Sequence, residues 1–181
     1  MMYAFETASC AFETSVDPDE LSRIGKAIGI LARKTGVYGM IGGQTVDVEL
    51  AGGPIPADKL DFIYHLKTGA LIEASMLIGA VLGGAADEDC KIVESLASKI
   101  GMAFQIQDDI LDVTGSEEII GKPVNSDEKN KKTTYVTLEG LEKAKQDVEK
   151  ISAEAIEELN KLPGNNDFLE QLIHLLIHRQ K

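Results

Sequence analysis

Cysteine is scarce in this sequence, and its scarcity excludes two kinds of structure. Among 181 residues there are only two cysteines, Cys10 and Cys90, far apart in the chain. Such a pair makes neither a disulfide framework nor a cluster with metal-ligand spacing. We therefore expect both to be ordinary apolar residues in a reducing compartment, and we predict a cytoplasmic protein.

Positive charge is also in short supply. The chain carries 18 lysines and arginines against 30 aspartates and glutamates, which gives a formal net charge of −12. A protein that neutralises nucleic-acid phosphates needs a basic face, so this composition argues against a nucleic-acid partner. The imbalance is concentrated in residues 61–120, where there are 11 acidic and 3 basic residues. A cation site is therefore expected in this middle third.

No hydrophobic run is uninterrupted enough to predict a stable membrane span. The most apolar stretch, residues 69–86, contains several glycines and the charged Glu73, and its ends show no lysine or arginine bias. We expect it to form a helix that is buried on all sides. No basic segment followed by an apolar one opens the chain, so no secretory signal is predicted.

Helical patterns account for almost all of the chain, and we find no strand alternation and no internal repeat. With 44% apolar residues, the sequence predicts one all-α domain over residues 1–181. Asp17 and Pro18 form a strong helix start, an N-cap followed by proline at the first helical position. Residues 115–132 are polar and lysine-rich, which is typical of a long functional loop. The predicted helices cover residues 1–14, 17–50, 56–65, 69–84, 87–115, 140–161 and 167–181.

Four glycines lie within the helix predicted over residues 17–50. They are Gly36, Gly39, Gly42 and Gly43, and each costs ~1 kcal/mol relative to alanine in a helix interior. So many glycines indicate that another backbone or a ligand comes close at this point. Tight packing against a neighbouring helix explains the spacing equally well, and the sequence leaves both explanations open.

The sharpest chemical feature is the segment FQIQDDILD, residues 104–112. Asp108 and Asp112 are four residues apart, which places their carboxylates roughly 6 Å apart on one helix face, and Asp109 lies about 100° around the helix. Three carboxylates near a helix C-terminus in an apolar segment repel one another unless a cation is bound. Hard oxygen ligands of this kind suit Mg²⁺. The alternative is a solvated acidic patch.

Lysines in two other segments favour the metal interpretation. Lys67 and Thr68 are predicted to head a helix, where unpaired N–H groups and a hydroxyl would bind an anion. Lys122 lies in the polar loop, with further lysines up to Lys132 behind it. Carboxylates on one side and lysines on the other are what a metal-bridged diphosphate requires. For the loop lysines, a solvated run of charge is the alternative.

Four segments of the sequence form an ordered set: GGQTVDVE (42–49), HLKTGALIEAS (65–75), FQIQDDILDVTG (104–115) and GKPVNSDEKNKKTTYVTLEG (121–140). Together they resemble the trans-prenyl diphosphate synthases, the family that makes geranyl, farnesyl and geranylgeranyl diphosphates. FQIQDDILDVTG resembles the second aspartate-rich motif of that family. One such string is a weak signal, whereas four in the family order are specific. The resemblance implies an all-α isoprenoid-synthase helical bundle, and the HLKTG and GKPVNSD strings disfavour terpene cyclases.

The resemblance also implies roles for individual residues. Asp108 would ligate Mg²⁺ directly, while Asp109 and Asp112 would support the metal cluster, partly through water. Lys67 and Lys122 would bind the allylic diphosphate, so that these two lysines and Asp108 carry catalysis. The other implied substrate-binding residues would line the allylic pocket, orient its ligands or lie at its edge; they are Gln44, Asp47, Thr68, Gln105 and Lys132.

The activity that the resemblance implies is the condensation of isopentenyl diphosphate with an allylic diphosphate. Mg²⁺ and lysines neutralise the departing diphosphate, an allylic cation forms, and the double bond of isopentenyl diphosphate attacks it before a proton is lost. Electrostatic stabilisation of the leaving group dominates such catalysis. A homodimer is implied by the resemblance alone.

One part of the family pattern is not found in this sequence. Family members carry a first aspartate-rich motif and paired arginines, which would lie before Tyr3, and Asn125 stands where the family usually has glycine. We therefore expect the C-terminal part of a synthase, or a shortened homologue, with little condensing activity on its own. The alternatives are a non-catalytic homologue that binds diphosphates or acts as a regulatory partner subunit, and an unrelated helical metal-binding or interaction module.

Overall fold

The fold is a set of packed helices that surround a long central helix. The structure is a computed structural model that describes residues 2–115 and 132–179. Within those ranges every regular element is a helix, which confirms the all-α prediction. In chain order the α-helices are α1 (Met2–Ser9), α2 (Pro18–Thr35), α3 (Met40–Glu49), α4 (Ala57–Ile63), α5 (Ala70–Leu82), α6 (Asp87–Thr114), α7 (Tyr135–Glu139), α8 (Leu141–Leu159) and α9 (Asp167–Ile177).

The start of α2 is as predicted, but its end is not. The Asp17 carboxylate accepts hydrogen bonds from two backbone N–H groups of the first turn, with Pro18 at the first helical position. The single helix predicted over residues 17–50 is wrong, because the chain turns between Gly36 and Gly39 and re-enters a helix as α3. A Cβ at Gly39 would lie 1.8 Å from the carbonyl oxygen of Lys34, so this turn requires glycine.

The break predicted between the helices over residues 56–65 and 69–84 is also wrong. Tyr64–Gly69 form a π-helix, called here the π segment, which joins α4 to α5 in one continuous helical run from Ala57 to Leu82. A π segment is a short, widened stretch of helix that is frequent at functional sites. Lys67 therefore does not head a helix, and the anion site of unpaired N–H groups expected there does not exist.

The main apolar core holds α6 against α8 and α9. The buried members of this cluster are Leu96, Ile100, Ala103, Ile106, Ile110, Ala144, Val148, Ala155, Leu159, Ile173 and Ile177. A second, smaller cluster packs Ile55, Leu60 and Ile63 with Tyr64 of the π segment. The two clusters meet at Met102 and Tyr135, which pack against both. The aspartate-bearing half of α6 is thereby fixed between two cores.

Helix α5 is not buried on all sides, contrary to the sequence prediction. Leu71 and Leu82 are 39% and 46% exposed, whereas Glu73 is only 3% exposed. The Lys34 Nζ atom lies 2.5 Å from the Glu73 carboxylate and 2.7 Å from that of Glu94. Burial opposes the charge of Lys34, but its hydrogen bonds to both carboxylates outweigh burial and raise its pKa. The one charge in this apolar helix thus ties α5 to α2 and α6.

The run from Ala57 to Leu82 is long and apolar enough to cross a membrane by length and composition alone, and a third of its most apolar window is buried. Core helices of soluble proteins pass the same test. Two of its charged residues, Lys67 and Glu73, are paired with side chains of neighbouring helices, which is typical of a core helix. The predicted absence of a membrane span stays a prediction.

Candidate active site

A cavity of about 190 Å³ lies between α3, the π segment and the C-terminal half of α6. Six of the ten residues that the sequence singled out line it, namely Asp47, Lys67, Thr68, Gln105, Asp108 and Lys132. They come from four separate segments of the chain. The fold, and not closeness in sequence, therefore brings these residues together.

Lys67 is the best-positioned cation of the cavity. Its Nζ donates to Oδ2 of Asp47 at 2.6 Å, and the two side chains are 36% and 16% exposed. An ammonium group carries three donors, so this pair leaves donors for an anionic ligand. Asp47 fixes the direction of the Lys67 side chain without using up its hydrogen-bonding capacity.

Two glycines bring the π segment against the helices on both sides. A Cβ at Gly43 of α3 would lie 2.4 Å from the backbone nitrogen of Lys67, and one at Gly101 of α6 would lie 2.7 Å from the Cα of Gly69. Both obstacles are backbone atoms, which cannot rotate away. The glycines of the sequence indicated that another backbone or a ligand comes close. At Gly43 the close neighbour is the backbone of the π segment. This packing sets the position of Lys67 and Thr68.

The three aspartates of α6 occupy different environments. The side chain of Asp108 is 60% exposed and lines the cavity. Asp109 is 6% exposed and accepts hydrogen bonds from the Tyr64 hydroxyl at 2.5 Å and from the Tyr135 backbone N–H at 2.7 Å. Asp112 is half-buried one turn beyond Asp108. Of the three, Asp108 is the carboxylate that faces the cavity.

This donor set is compatible with Mg²⁺ when a diphosphate completes the coordination shell. In the part of the chain that the structure describes, no group of three or more acidic, histidine or cysteine side chains is close enough to hold a metal alone. Mg²⁺ commonly takes one or two carboxylates and fills its other positions with water and phosphate oxygens. Asp108, accessible beside Lys67 and Lys132, meets that requirement. The metal roles of Asp109 and Asp112 stay predictions.

Gln44 is not among the described residues that line this cavity. Gln44 lies one turn before Asp47 on α3, where it lines a separate surface hollow with Thr45 and Val48. Lys122 lies outside the described residues. Their roles in substrate binding stay predictions.

Sequence reasoning missed two residues whose side chains contact the aspartates. Tyr64 donates its hydroxyl to Asp109, and Arg179 reaches Oδ1 of Asp108 at 3.2 Å. No motif marks either residue. The one usable signal for such residues is that a buried carboxylate in an apolar segment needs a hydrogen-bond donor. Tyr64, whose hydroxyl is such a donor, lies one helical turn before Lys67.

The sequence and fold of this chain match those of known proteins over most of its length. A family model described as polyprenyl synthetase matches residues 6–174. The chain is 38% identical over 162 residues to the chloroplastic heterodimeric geranylgeranyl pyrophosphate synthase large subunit 1 of Arabidopsis thaliana, covering 88% of this chain and 43% of that one. It is 37% identical over 175 residues to the farnesyl diphosphate synthase of Bacillus subtilis, covering 96% and 59%.

A solved structure gives the same result. The geranyltransferase of Helicobacter pylori complexed with magnesium and isoprenyl diphosphate matches with a TM-score of 0.78 and 32% identity, over 97% of this chain and 56% of that one. The all-α fold of this chain is thus shared with that structure. The chain belongs to the polyprenyl synthetase family, which confirms the resemblance seen in the sequence. It spans about half the length of the curated relatives it matches.

Proposed function

We propose that this protein serves prenyl chain elongation, the Mg²⁺-dependent condensation of an allylic diphosphate with isopentenyl diphosphate. The observation that carries the proposal is the cavity where Lys67 and Lys132 share a lining with the exposed carboxylate of Asp108. Cations and a carboxylate in one small cavity suit a diphosphate bridged by a metal ion. The names of the relatives, farnesyl and geranylgeranyl diphosphate synthases, support the substrate class.

The residues of the cavity have distinct tasks in this proposal. Lys67, oriented by Asp47, donates to the allylic diphosphate and stabilises the negative charge that grows on it as it departs. The Thr68 hydroxyl and the Gln105 amide add uncharged donors beside it. Asp108 would hold Mg²⁺, which would supply Lewis-acid stabilisation of the leaving group. Lys122, Gln44, Asp109 and Asp112 keep the supporting roles that the family pattern implies.

Replacement of one carboxylate tests the site directly. Asp108→Asn keeps the shape of the side chain but removes its charge, so we expect Mg²⁺-dependent pyrophosphate binding to be lost in isothermal titration calorimetry. Asp87→Asn is the matched control, because Asp87 lies at the other end of α6 with a side chain that is 91% exposed. Unchanged pyrophosphate binding in Asp108→Asn would show that the acidic segment is only a solvated face.

We further propose that the 181-residue polypeptide, assayed alone, binds diphosphates but makes little product. The sequence contains one DDxxD string, at residues 108–112, where the family pattern uses two. Incubation with dimethylallyl and isopentenyl diphosphates should therefore give little longer prenyl diphosphate. Robust product formation, followed by chromatography of the dephosphorylated prenyl alcohols, would contradict this proposal.

A homodimer in the cytoplasm is the proposed assembly and location. Helix α1 contains no buried residue, and its apolar Met2 and Tyr3 are 80% and 78% exposed. Exposed apolar surface of this kind favours association. The free thiols of Cys10 and Cys90 are compatible with a reducing compartment. Sedimentation velocity and localisation of a fluorescent fusion test the two statements separately.

A partner-subunit role is the second candidate function. The Arabidopsis relative is named as the large subunit of a heterodimeric synthase. If this chain has such a role, co-purification with a catalytic synthase should change that enzyme's product distribution. A chain that neither forms heterodimers nor alters product distribution would exclude the partner role.

A further inference from the structure

Arg179, which follows the end of α9, is held more tightly than a surface arginine usually is. Its side chain is 14% exposed, and its guanidinium carbon lies 3.8 Å from the ring centre of Phe104. Nη1 donates to the carbonyl oxygen of Leu176 at 2.8 Å. Nη2 lies 3.2 Å from the carbonyl oxygen of Phe104 and 3.2 Å from Oδ1 of Asp108. A ring and three oxygens therefore fix the orientation of this planar group.

The partner of Arg179 is much more exposed than the carboxylates of two pairs that join core helices. Glu73 and Glu158, which pair with Lys34 and Lys99, are 3% and 19% exposed. The Asp108 side chain is 60% exposed and lines the cavity. A cation from the end of the chain thus neutralises the carboxylate best placed to hold a metal ion.

A guanidinium and a divalent ion compete for such a carboxylate. Both carry positive charge, so their repulsion at a separation of a few ångströms opposes simultaneous close contact with one carboxylate. The guanidinium also uses one of the two carboxylate oxygens, Oδ1. Metal binding at Asp108 must therefore weaken the contact between Asp108 and Arg179.

We propose that Arg179 is a positioning residue that acts as a stand-in cation for Asp108. It pairs with this carboxylate in the metal-free protein and releases it when Mg²⁺ binds. The inference rests on the proposed metal-dependent function of the cavity. Because Arg179 also anchors the end of α9 to Phe104, metal binding loosens the last turn of α9. Metal binding at Asp108 and the attachment of the end of α9 to Phe104 are thereby coupled.

The sign of one mutational effect separates this role from simple structural support. If Arg179 only supports the site, its replacement weakens metal binding. If it competes with the metal, its replacement tightens metal binding. For one partly screened charge pair we expect about a threefold decrease in the dissociation constant.

The test titrates the full chain with Mn²⁺ and follows the loss of the free-ion electron paramagnetic resonance signal, with Mg²⁺ as competitor. Arg179→Gln should bind Mn²⁺ about threefold more tightly, and Arg179→Lys should return to nearly wild-type affinity. Lys145→Gln is the matched control, because it removes one positive charge from α8, where Lys145 pairs with Glu142. This control should leave the affinity unchanged.

A second measurement needs no substitution at Arg179. It tests the stand-in role even if Arg179→Gln does not fold. Amide hydrogen exchange over residues 174–179 of the wild-type chain should become faster when Mg²⁺ and pyrophosphate are added. In Asp108→Asn this response should disappear. Exchange that stays unchanged or slows in the wild type would overturn the inference.

The outcomes also separate this inference from the proposed function. Equal or weaker Mn²⁺ binding by Arg179→Gln, at the wild-type melting temperature, refutes the stand-in role and leaves the metal site intact. A wild-type chain that binds no Mn²⁺, with or without pyrophosphate, refutes the proposed function itself and the stand-in role with it.

Discussion

Adding one methyl group at Gly43 should displace the lysine that the proposed function depends on. In Gly43→Ala the new Cβ would lie 2.4 Å from the backbone nitrogen of Lys67 and 2.9 Å from atoms of Leu66. The obstacles include backbone atoms of the π segment, so no change of side-chain rotamer relieves the overlap. Either α3 or the π segment must shift, and the cavity is lined by residues of both.

The size of the effect follows from two opposing terms. Alanine is favoured over glycine in a helix interior by about 1 kcal/mol, whereas overpacking at a rigid contact costs roughly 1–3 kcal/mol. At Gly43 the overlap with backbone is severe, so we expect a net loss of about 1–2 kcal/mol. For a chain of this size that loss lowers the melting temperature by roughly 2–8 °C.

A matched alanine substitution makes the measurement decisive. Gly25 of α2 is exposed, and a Cβ there would meet no atom within 4 Å. Gly25→Ala should therefore stabilise the chain or leave it unchanged in urea unfolding followed by circular dichroism. Gly43→Ala should be destabilised and should bind Mg²⁺-pyrophosphate more weakly in calorimetry. If Gly43→Ala matches Gly25→Ala in both assays, backbone contact does not position Lys67.

Two further predictions concern buried or paired carboxylates. Tyr64→Phe removes one donor to buried Asp109 and should lower the free energy of unfolding in urea by about 1–2 kcal/mol; an unchanged value would show that this hydrogen bond contributes nothing. The hydrogen bonds from Lys143 and then Tyr135 hold the pKa of Asp147 below its ordinary value. A lowered folded pKa contributes stability above the ordinary value, near 4, that is lost as pH falls through the folded value. Asp147→Asn should therefore flatten the fall in unfolding free energy below about pH 4, and an unaltered pH dependence would contradict this.

Local patterns in the sequence were sufficient to predict the all-helical fold, several helix boundaries and six residues that line the cavity. The predicted helix over residues 87–115 is α6 to within a residue, because its acidic first turn and its closing Gly115 act locally. The four family segments predicted ten site residues, of which six line one cavity. Such motifs mark residues that must meet, even where the sequence does not show how they meet.

The sequence could not predict features that depend on which segment of the chain packs against a given residue. Gly39 and Gly43 read alike in the sequence, yet one permits a turn between helices and the other permits contact with the π segment. The same limit applies to Asp108 and Asp109, which are neighbours in sequence. Only the packing of α4, the π segment and α7 decides which of the two is buried against Tyr64 and which faces the cavity.

The acidic excess of residues 61–120 is therefore only in part the signature of a cation site. Glu73 is paired with Lys34 in the core and Asp109 is held by Tyr64, so neither carboxylate is free to act as an open site. Asp108 retains an exposed carboxylate in the cavity, and Arg179 already contacts it. The proposed function would let an acidic protein bind a diphosphate, because the local charge at the site would be set by lysines, an arginine and a bound metal, and not by the net charge of the chain.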